Sequence, residues 1–546
     1  TGINTSQVHY CRVIASKNEI EKILASYAGI ISVEEAPFVV FGSGIQSKMG
    51  KYTIEDLSQN KKSIIVFDHP VCISHPIIKP LADNPLGEAY ATTSESHGTQ
   101  VASLVIFGSK ISQSGKLTGR NKILPVNIFP ISNGRPIFNE NVIIDTLKQH
   151  SSPNIALIAN LSINDYTPYS RKNVHRLTAL LDELAVDYNC LFVISAGNLF
   201  KQWGKAETNR ILSIGYPNYF KENVTTILSP ADSINNLTVG SITYQASPNS
   251  VAPVGEPSPV TRRGFTDTEG FYFIKPDLVE YDSNFDSKYS CEDNGPFMAY
   301  PSDSLIRAAG TSFSTPLATH ELGVLSQMYP EYTVNSLKAL VIHFAKPITS
   351  NIQVPPTIAK SLVGYGLPDL ERALYSLNTS STIVIEDKIK VGTSKRLKVP
   401  IPSCISGSNR KRLCIRKTLV YNPKINNIDV KSYNPILLSA RVIRNDGNIQ
   451  NNATSRRYQD GAHRKSNVKT YNPIERSTNN HTGAFWEIEV MAEPVNNKAA
   501  DDIEQSYSIV ITIEDMQKDD TVDLHAEIQQ MIEIEVGVNV NVEIDS

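Results

Sequence analysis

Four side chains with the chemistry of an acyl-transfer site lie in separate segments of this sequence. Asp68 ends the apolar run SIIVFD, His97 stands in SESHGTQVASLV, Asn198 ends CLFVISAGN and Ser312 stands in RAAGTSFSTP. These are an acid, a base, an amide donor and a hydroxyl, the four groups that such a site needs. Because open α/β sheets place functional residues at the carboxyl ends of their strands, segments far apart in the chain can meet at one edge of a sheet.

Each group has a definite task in acyl transfer. A serine hydroxyl reacts poorly until a neighbouring base takes its proton, and an imidazole such as His97 does this near neutral pH. A carboxylate such as Asp68 would hold that imidazole in one tautomer and stabilise its cation. The amide of Asn198 and the backbone N–H of Ser312, at the start of a helix, would bind the oxyanion.

Taken alone, each residue also has a plainer explanation. Ser is a good helix N-cap and Pro316 suits a first helical turn, so Ser312 could be a cap. Asp68 could cap a strand end, His97 could be a surface residue at a helix start, and Asn198 could be a turn residue. The ordered set of four favours chemistry over four separate coincidences.

Between about residues 63 and 345, short apolar runs alternate with amphipathic segments. Continuous runs of Val, Ile and Leu are typical of strands buried on both faces, so the pattern predicts an α/β domain with a parallel sheet flanked by helices. The predicted strands are 63–68, 123–129, 154–163, 190–197 and 237–243. The predicted helices are 97–107, 140–149, 172–187, 313–330 and 334–346.

After about residue 378 the pattern becomes that of strands separated by turns. STIVIED, LKVPIP, LCIRKTLVYN, AFWEIEVMA, YSIVITIED and MIEIEVGVNVNVEI alternate without helical period, which predicts an all-β sandwich or jelly roll. A loop from Asn445 to His481 is expected to be mobile. Its basic residues suit a solvated loop better than a contact with an acidic partner; they are Arg456, Arg457, His463, Arg464 and Lys465.

The motifs around the four residues resemble those of the subtilisin-like serine proteases, the subtilases. HGTQVAS is similar to the family's box around the base, GTSFSTP to its nucleophile box and SAGN to its oxyanion segment. The chain order of acid, base and serine is the subtilisin order, and no GxSxG nucleophile elbow is present. With KPDLV (275–279) and GYGLPDLERAL (364–374), the resemblance covers residues 63 to 375. It implies a catalytic triad of Asp68, His97 and Ser312, with Asn198 in the oxyanion hole.

The resemblance also implies a peptide-binding strand, since NLSIN is similar to the family's substrate segment. The implied substrate-binding residues are Ser162, Ile163, Asn164, Asp165, Ser195, Ala196 and Gly197.

The sequence departs from the family in three places. His69-Pro70 follows the acid where Ser or Thr and then Gly are usual, so the loop there must run differently. Asn164-Asp165 replaces a Gly-Gly pair, so we expect the Asp165 charge to favour basic or polar P1 side chains. Glu280-Tyr281 follows KPDLV where Ala-Pro-Gly is common.

The expected function is therefore that of a serine endopeptidase working through an acyl-enzyme on Ser312, under the control of a partner. One alternative is a catalytically silent protein of the same fold that binds peptides. Another is an interaction protein whose functional surface is the β-rich region. Similar bacterial subtilases are often encoded beside an ATPase of the AAA type, so the resemblance implies such an ATPase, or another regulatory protein, as partner.

Composition narrows the partners. The chain has 546 residues, 40% hydrophobic and 20% charged, with a net charge of −3, which gives no electrostatic basis for binding nucleic acid or an anionic membrane. No Cys or His spacing predicts a metal site, and His320-Glu321 is only half of a zinc motif. No cofactor is expected. The acidic stretch 280–295 could hold a structural Ca²⁺, although a solvated loop is favoured.

The six cysteines are scattered, and only Cys404 and Cys414 look able to pair. Free thiols suit a reducing compartment, and the first residues lack the features of a signal peptide, so we expect a cytoplasmic protein. The chain does not begin with Met, which leaves secretion open.

Residues 1–48 form a predicted strand–helix–strand segment. Its GIISVEEAP resembles the closing strand of subtilase prodomains, so the segment is either propeptide-like or a retained extension of the sheet. The expected domains are this segment, a catalytic domain at 49–378 and a β-sandwich at 379–546.

Overall fold

The computed structural model describes most of the chain. The described residues are 2–4, 9–11, 16–26, 45–58, 62–86, 96–132, 135–152, 155–165, 174–199, 205–265, 273–301, 303–348, 352–405, 411–426, 432–444, 447, 449–450, 466–477, 485–495, 503–519 and 521–535. Among them, no helix is long and apolar enough to cross a membrane.

The N-terminal segment contributes a strand pair, a helix and one strand that joins the rest of the protein. Strands β1 (Gly2–Asn4) and β2 (His9–Cys11) pair antiparallel and precede helix α1 (Lys17–Ser26). The predicted strand in GIISVEEAPFVVF lies outside the described residues. Strand β3 (Ile45–Lys48) follows it.

Twelve strands follow before the β-rich region. They are β4 (Tyr52–Asp56), β5 (Ile64–Asp68), β6 (Gly115–Gly119), β7 (Ile123–Asn127), β8 (Ile131–Ser132), β9 (Arg135–Pro136), β10 (Leu157–Leu161), β11 (Cys190–Ser195), β12 (Leu237–Thr243), β13 (Leu278–Asp282), β14 (Met298–Tyr300) and β15 (Ser304–Arg307). Six of them form one parallel sheet in the order β13-β12-β11-β10-β5-β7. Strand β3 pairs antiparallel with β15, which leads into the Ser312 segment.

The helices of this region confirm the predicted α/β pattern. They are α2 (His97–Phe107), α3 (Glu140–His150), α4 (Arg176–Asp187), α5 (Lys205–Ile214), α6 (Thr311–Met328), α7 (Val334–His343), α8 (Pro356–Val363) and α9 (Leu370–Leu374). The five predicted strands and five predicted helices all occur, with shifts of a few residues at their ends. The sequence did not predict helices α5, α8 and α9 or the remaining strands of the region, which are β4, β6, β8, β9, β13, β14 and β15.

The sheet is buried on both faces, which explains its unbroken apolar runs. On β5, Ile64 and Val66 join the core beneath α2 and α6, whereas Ile65 and Phe67 join the core beneath α3 and α4. Because successive side chains of a strand point to opposite faces, both sets must be apolar. The candidate site lies at the strand ends, where polar side chains such as Asp68 can face other loops.

The β-rich region is a sandwich of two antiparallel sheets, as predicted. Its strands are β16 (Ser380–Lys390), β17 (Ser394–Pro400), β18 (Lys411–Tyr421), β19 (Ile436–Ile443), β20 (Ile449–Gln450), β21 (Val468–Thr470), β22 (Ile474–Ser477), β23 (Phe485–Pro494) and β24 (Glu504–Asp515). One sheet has the order β16-β24-β18-β21 with β22 also on β18, and the other has the order β17-β23-β19-β20. Both sheets contribute to a single apolar core.

Three expectations for this region are corrected. Residues 531–535, the start of a predicted strand, belong to helix α10 (Leu524–Glu535), because Leu524, Ile528 and Ile532 recur at helical spacing and pack on the sandwich core. The rest of that predicted strand lies outside the described residues. The predicted 445–481 loop contains β20, β21 and β22; its basic stretch lies outside the described residues. Cys404 and Cys414 are free thiols, so the suggested disulfide is absent.

Helix α7 joins the sandwich to the α/β region. His343 lies buried between two threonines of the sandwich, with its Nδ1 2.9 Å from Thr418 Oγ1 and its Nε2 2.8 Å from Thr512 Oγ1. Burial lowers the pKa of His343 to about 3, so it is neutral at physiological pH. Val420 and Val510 of the sandwich belong to the same core as the parallel sheet. The α/β region and the sandwich are therefore packed against each other. The exact position of the boundary near residue 378 stays a prediction.

Candidate active site

Asp68 and His97 meet at the carboxyl end of the parallel sheet. Asp68 is the last residue of β5 and is 0% exposed, and His97 is the first residue of α2. The Nδ1 of His97 lies 2.8 Å from Asp68 Oδ1, which also accepts the backbone N–H of His69 at 2.7 Å. Gly98 permits this approach, since a Cβ there would lie 2.1 Å from the His69 carbonyl oxygen. Glycine is therefore required after His97 for steric reasons.

The unusual His69 packs into the protein and does not compete with His97 for protons. Its ring stacks on Phe129 at 4.1 Å between centroids. Burial lowers the pKa of His69 to about 4, although the charge of Asp68 opposes this shift. His69 is therefore neutral near pH 7. The departure from the family's sequence changes the packing of this loop and leaves the Asp68–His97 contact in place.

Ser312 lies in the first turn of α6, beside the same end of the sheet. Its hydroxyl donates to the Ser162 carbonyl at 3.3 Å, and the Ser162 hydroxyl donates to the Ser312 carbonyl at 3.0 Å. The next residue, Phe313, brings its ring to 5.6 Å from the His97 ring between centroids. The start of α6, the start of α2 and the end of β10 therefore converge on one place.

Asn198 is fixed against the turn that precedes Ser312. Its Oδ1 accepts the Thr311 backbone N–H at 2.8 Å and the Thr311 hydroxyl at 3.1 Å. The acceptor side of the amide is thereby used, and Nδ2 lies on the side of Gly310, where a Cβ would come within 3.2 Å of it. The buried guanidinium of Arg262 donates through Nε to the Asn198 carbonyl at 3.1 Å. The Asn198 side chain is thus fixed in place, with its Nδ2 donor close to the start of α6, where Ser312 lies.

The two implied substrate segments lie side by side. Ser162, Ile163 and Asn164 directly follow β10, and Ser195, Ala196 and Gly197 end or follow the neighbouring strand β11. The side chain of Asn164 ties them together, because its Nδ2 donates to the Ser195 carbonyl at 2.8 Å and its Oδ1 accepts from the Ser195 hydroxyl at 3.0 Å. Their role in binding substrate stays a prediction.

Asp165, expected to place a lone charge beside the P1 pocket, lies next to a histidine. It is 5% exposed, and its Oδ2 lies 3.2 Å from His175 Nε2. His175 caps α4, and its Nδ1 lies 2.6 Å from the Ser229 hydroxyl. The Asp165 carboxylate is therefore held beside His175 at the start of α4. The preference for basic or polar P1 side chains remains a prediction.

Three neighbours of the site were missed by sequence reasoning: Arg262, His175 and Asp282. Arg262 stands in VTRRGF and Asp282 in LVEYDS, where charged residues read as exposed loop or strand-end residues. Both are fully buried. Their partners lie tens of residues away in the chain, so no local spacing could have shown them.

The remaining motifs do not form a metal site. Among the described residues, no group of three or more His, Cys, Asp and Glu side chains could hold a metal ion. His320 lies with its Nδ1 2.9 Å from the Val105 carbonyl. In the 280–295 stretch, Asp286 accepts from the backbone N–H groups of Lys288 and Ser290, and Asp293 pairs with Arg307. The structural Ca²⁺ stays a prediction.

The sequence from residue 60 to residue 366, more than half of the chain, matches the model of the subtilase family, peptidase family S8. The chain belongs to the subtilase family. The matched range contains the four candidate residues and the whole parallel sheet, so the motif resemblance and the family assignment agree.

One curated relative and several solved structures are similar to this subtilase. The uncharacterized protein y4bN of Sinorhizobium fredii is 30% identical over 292 residues, which is 49% of this chain and 66% of that protein, just under two thirds. The prenylagaramide maturation protease PagA is 19% identical to this chain, with a TM-score of 0.37. The match covers 57% of this chain and 91% of PagA. The protease domain of PatA is 19% identical with a TM-score of 0.38 over 57% and 93% of the two chains. A serine protease of Aeromonas sobria is 12% identical with a TM-score of 0.41 over 84% and 89%.

Proposed function

We propose that this subtilase is a serine endopeptidase that cleaves peptide bonds through an acyl-enzyme on Ser312. The observation that carries the proposal is the 2.8 Å contact between His97 Nδ1 and the buried carboxylate of Asp68. With its Nδ1 proton held by Asp68, the imidazole has its lone pair on Nε2, which is the tautomer that a general base needs. Membership of the subtilase family and the position of Ser312 at the same sheet end support this assignment.

In the acylation step, the Ser312 oxygen bonds to the peptide carbonyl carbon while its proton passes to His97. Asp68 would stabilise the resulting imidazolium. Among the described residues, its Oδ2 is buried without a hydrogen-bond partner, so the charge of this carboxylate is only partly balanced until His97 becomes cationic. The proton then passes from His97 to the leaving amine, and water hydrolyses the acyl-enzyme by the reverse sequence.

The oxyanion would be bound by Asn198 Nδ2 and by the backbone N–H of Ser312 in the first turn of α6. These donors suit the charge that develops in the transition state, because Asn198 is already fixed by Thr311 and the helix N-terminus favours an anion. An extended polypeptide would lie along Ser162–Asp165, with the wall formed by 195–197 beside its P1 residue.

Reaction with a fluorophosphonate tests the proposal, because the reagent labels only an activated serine. We expect mass spectrometry to find the label on Ser312, and we expect Ser312→Ala to abolish both labelling and peptide hydrolysis. Ser326→Ala is the matched control on the same helix; its hydroxyl donates only to the Gly323 carbonyl. A folded wild-type protein that binds peptide without labelling would instead be a silent peptide-binding member of the family.

The regulation of this activity is a further part of the proposal. We expect a cytoplasmic enzyme that is held in check by a partner, with an AAA-type ATPase as the first candidate and the sandwich as the recognition surface. The β17-β23-β19 sheet supports this role, since Arg396 and Lys398 on β17 are exposed and Arg396 pairs there with Glu487 at 3.3 Å. Pull-down of such an ATPase by wild type, and its loss with Arg396→Glu, would support the surface. Equal recovery by both proteins would exclude it.

A further inference from the structure

Asp282, the last residue of β13, is a buried acid where the family commonly has glycine. It occupies the third position after KPDLV, where the usual sequence is Ala-Pro-Gly, and it is 0% exposed. A buried carboxylate is costly unless donors surround it, so its partners show what it stabilises.

Those partners are the turn before Ser312 and two neighbouring loops. The backbone N–H of Gly310 donates to both carboxylate oxygens, at 2.9 Å to Oδ1 and 3.1 Å to Oδ2. The Ser283 N–H donates to Oδ1 at 2.8 Å, and the Ser258 hydroxyl lies 3.2 Å from Oδ2. The contact with Gly310 spans 28 residues of sequence and links β13 to the start of α6.

Asp282 and Asn198 therefore hold two consecutive amides of one turn. Asp282 accepts from Gly310, and Asn198 accepts from Thr311 at 2.8 Å. The next amide along the chain is that of Ser312. We propose that Asp282 is a positioning residue, which fixes the 310–312 turn so that the Ser312 hydroxyl and the Asn198 amide are correctly placed for acyl transfer. This inference rests on the proposed function of Ser312.

The charge of Asp282 gives the inference a signature in the pH profile. Among the described residues, the hydrogen bonds to its carboxylate come from neutral donors. The titratable residues on the elements packed around it are Glu280 and Tyr281 on β13, Tyr244 after β12, Glu256 before Ser258, Glu292 on the following loop, and His320 and Glu321 on α6. Burial raises the pKa of Asp282 to about 6, although the donated hydrogen bonds oppose the shift. Protonation below about pH 6 removes the charge that holds the Gly310 amide, so activity should fall as the pH drops through that value.

The test compares Asp282→Ala and Asp282→Asn with wild type. We expect Asp282→Ala to lower kcat about 10- to 100-fold with KM changed less than about twofold, because small displacements of reacting groups cost this much. Asp282→Asn should recover part of the loss, since its Oδ1 still accepts from Gly310. The pH profile of Asp282→Asn should lack the fall near pH 6 that we assign to Asp282 in the wild type. Asp293→Asn, an exposed Asp of the same region that pairs with Arg307, is the matched control.

Ser258→Ala provides a test that leaves Asp282 in place. The Ser258 hydroxyl donates to Asp282 Oδ2, and this hydrogen bond lowers the pKa of Asp282. Its loss should therefore move the fall in activity that we assign to Asp282 to higher pH. A folded Asp282→Ala protein with kcat within twofold of wild type would overturn the inference. A loss of kcat that parallels a loss of thermal stability, and that Asp282→Asn does not recover, would also overturn it. If wild type itself is not labelled by the fluorophosphonate, the proposed function fails; if wild type and both variants are labelled at equal rates, only this inference fails.

Discussion

Asp182 in the α/β region and Lys417 in the sandwich are both buried titratable groups, but their surroundings differ. Asp182 on α4 accepts the N–H groups of Asn235 at 2.8 Å and Ile234 at 3.2 Å, and the Tyr433 hydroxyl at 2.7 Å. Lys417 on β18 is 2% exposed, and its Nζ has no hydrogen-bond partner among the described residues. It lies 4.4 Å from the centre of the Tyr471 ring, which offers only a cation–π contact.

This difference shows how the two regions use buried polarity. Asp182 ties α4 to the loop before β12 and, through Tyr433, to the sandwich. Lys417 has the same strand parity as Leu413, Ile415 and Leu419, so it stands among the core residues of the sandwich. Polar contacts therefore hold the buried Asp182 in the α/β region, whereas the buried Lys417 stands in apolar packing with one aromatic contact. Changes near the sheet's carboxyl end should alter the reaction rate, and changes in the sandwich core should alter stability without changing kcat.

The largest effect is expected at the site. Asn198→Ala should lower kcat by about 10²–10³ with little change in KM, because an oxyanion donor acts mainly in the transition state. This magnitude is the one known for the corresponding amide of subtilisin. Steady-state kinetics on a peptide substrate measure it, with Asn218→Ala, an exposed residue beside Lys221, as control. A rise in KM with unchanged kcat would make Asn198 a ground-state binder.

The next effect is on stability. Asp182→Leu should lower the free energy of unfolding by about 3 kcal/mol or more, since it removes the acceptor used by two backbone N–H groups and by the Ser233 and Tyr433 hydroxyls. Asp187→Leu, an exposed residue on the same helix, should change it by about 0.5 kcal/mol or less. Urea unfolding at pH 7 measures both. Similar losses for the two variants would show that the Asp182 contacts contribute little.

Lys417→Met should raise the free energy of unfolding, whereas Asp182→Leu lowers it. Burial lowers the pKa of Lys417 to about 7, below the ordinary lysine value, so the folded state binds fewer protons than the unfolded state between about pH 7 and pH 10. Wild-type stability from this group therefore rises with pH across that range. The variant should be more stable by about 1 kcal/mol or more at pH 6, and its advantage should shrink as pH rises.

The control for this pH dependence is Lys388→Met, at an exposed position of β16. It should show no advantage that varies with pH. Thermal unfolding from pH 6 to pH 9 measures both variants, and kcat should stay at the wild-type value. A Lys417→Met protein less stable than wild type would mean that the amine has a partner in solution.

The smallest effect is expected on the sandwich surface. Glu487 lies 3.3 Å from Arg396, and both side chains are more than a third exposed, so solvent screens their attraction. Glu487→Ala should change the free energy of unfolding by about 0.5 kcal/mol or less, and salt should reduce this difference. A loss above about 1 kcal/mol in high salt would show that this face packs against something in the folded protein.

Local pattern predicted much of the fold correctly. The parallel strands have unbroken apolar runs because both faces of the sheet are buried, and α2 and α6 have motifs at their first turns. The same approach mistook the Ile- and Glu-rich end of α10 for a strand, since alternation over a few residues fits both periods when the fourth-residue spacing is ignored. It also missed β19, whose alternating pattern stands in ILLSARVI.

For the site, the sequence by itself determined the four candidate residues, their order and their helix or strand-end positions, because these depend on short motifs. Only the tertiary structure decided what holds them. The Asp282–Gly310, Asp165–His175 and Arg262–Asn198 contacts join segments that are separated in the chain, and neither partner has a local signal for the other. The burial of these residues also depends on tertiary structure. From the sequence alone, the charged residues of LVEYDS and VTRRGF are expected to be exposed, but the sheet, the loops and α6 pack around them and exclude water.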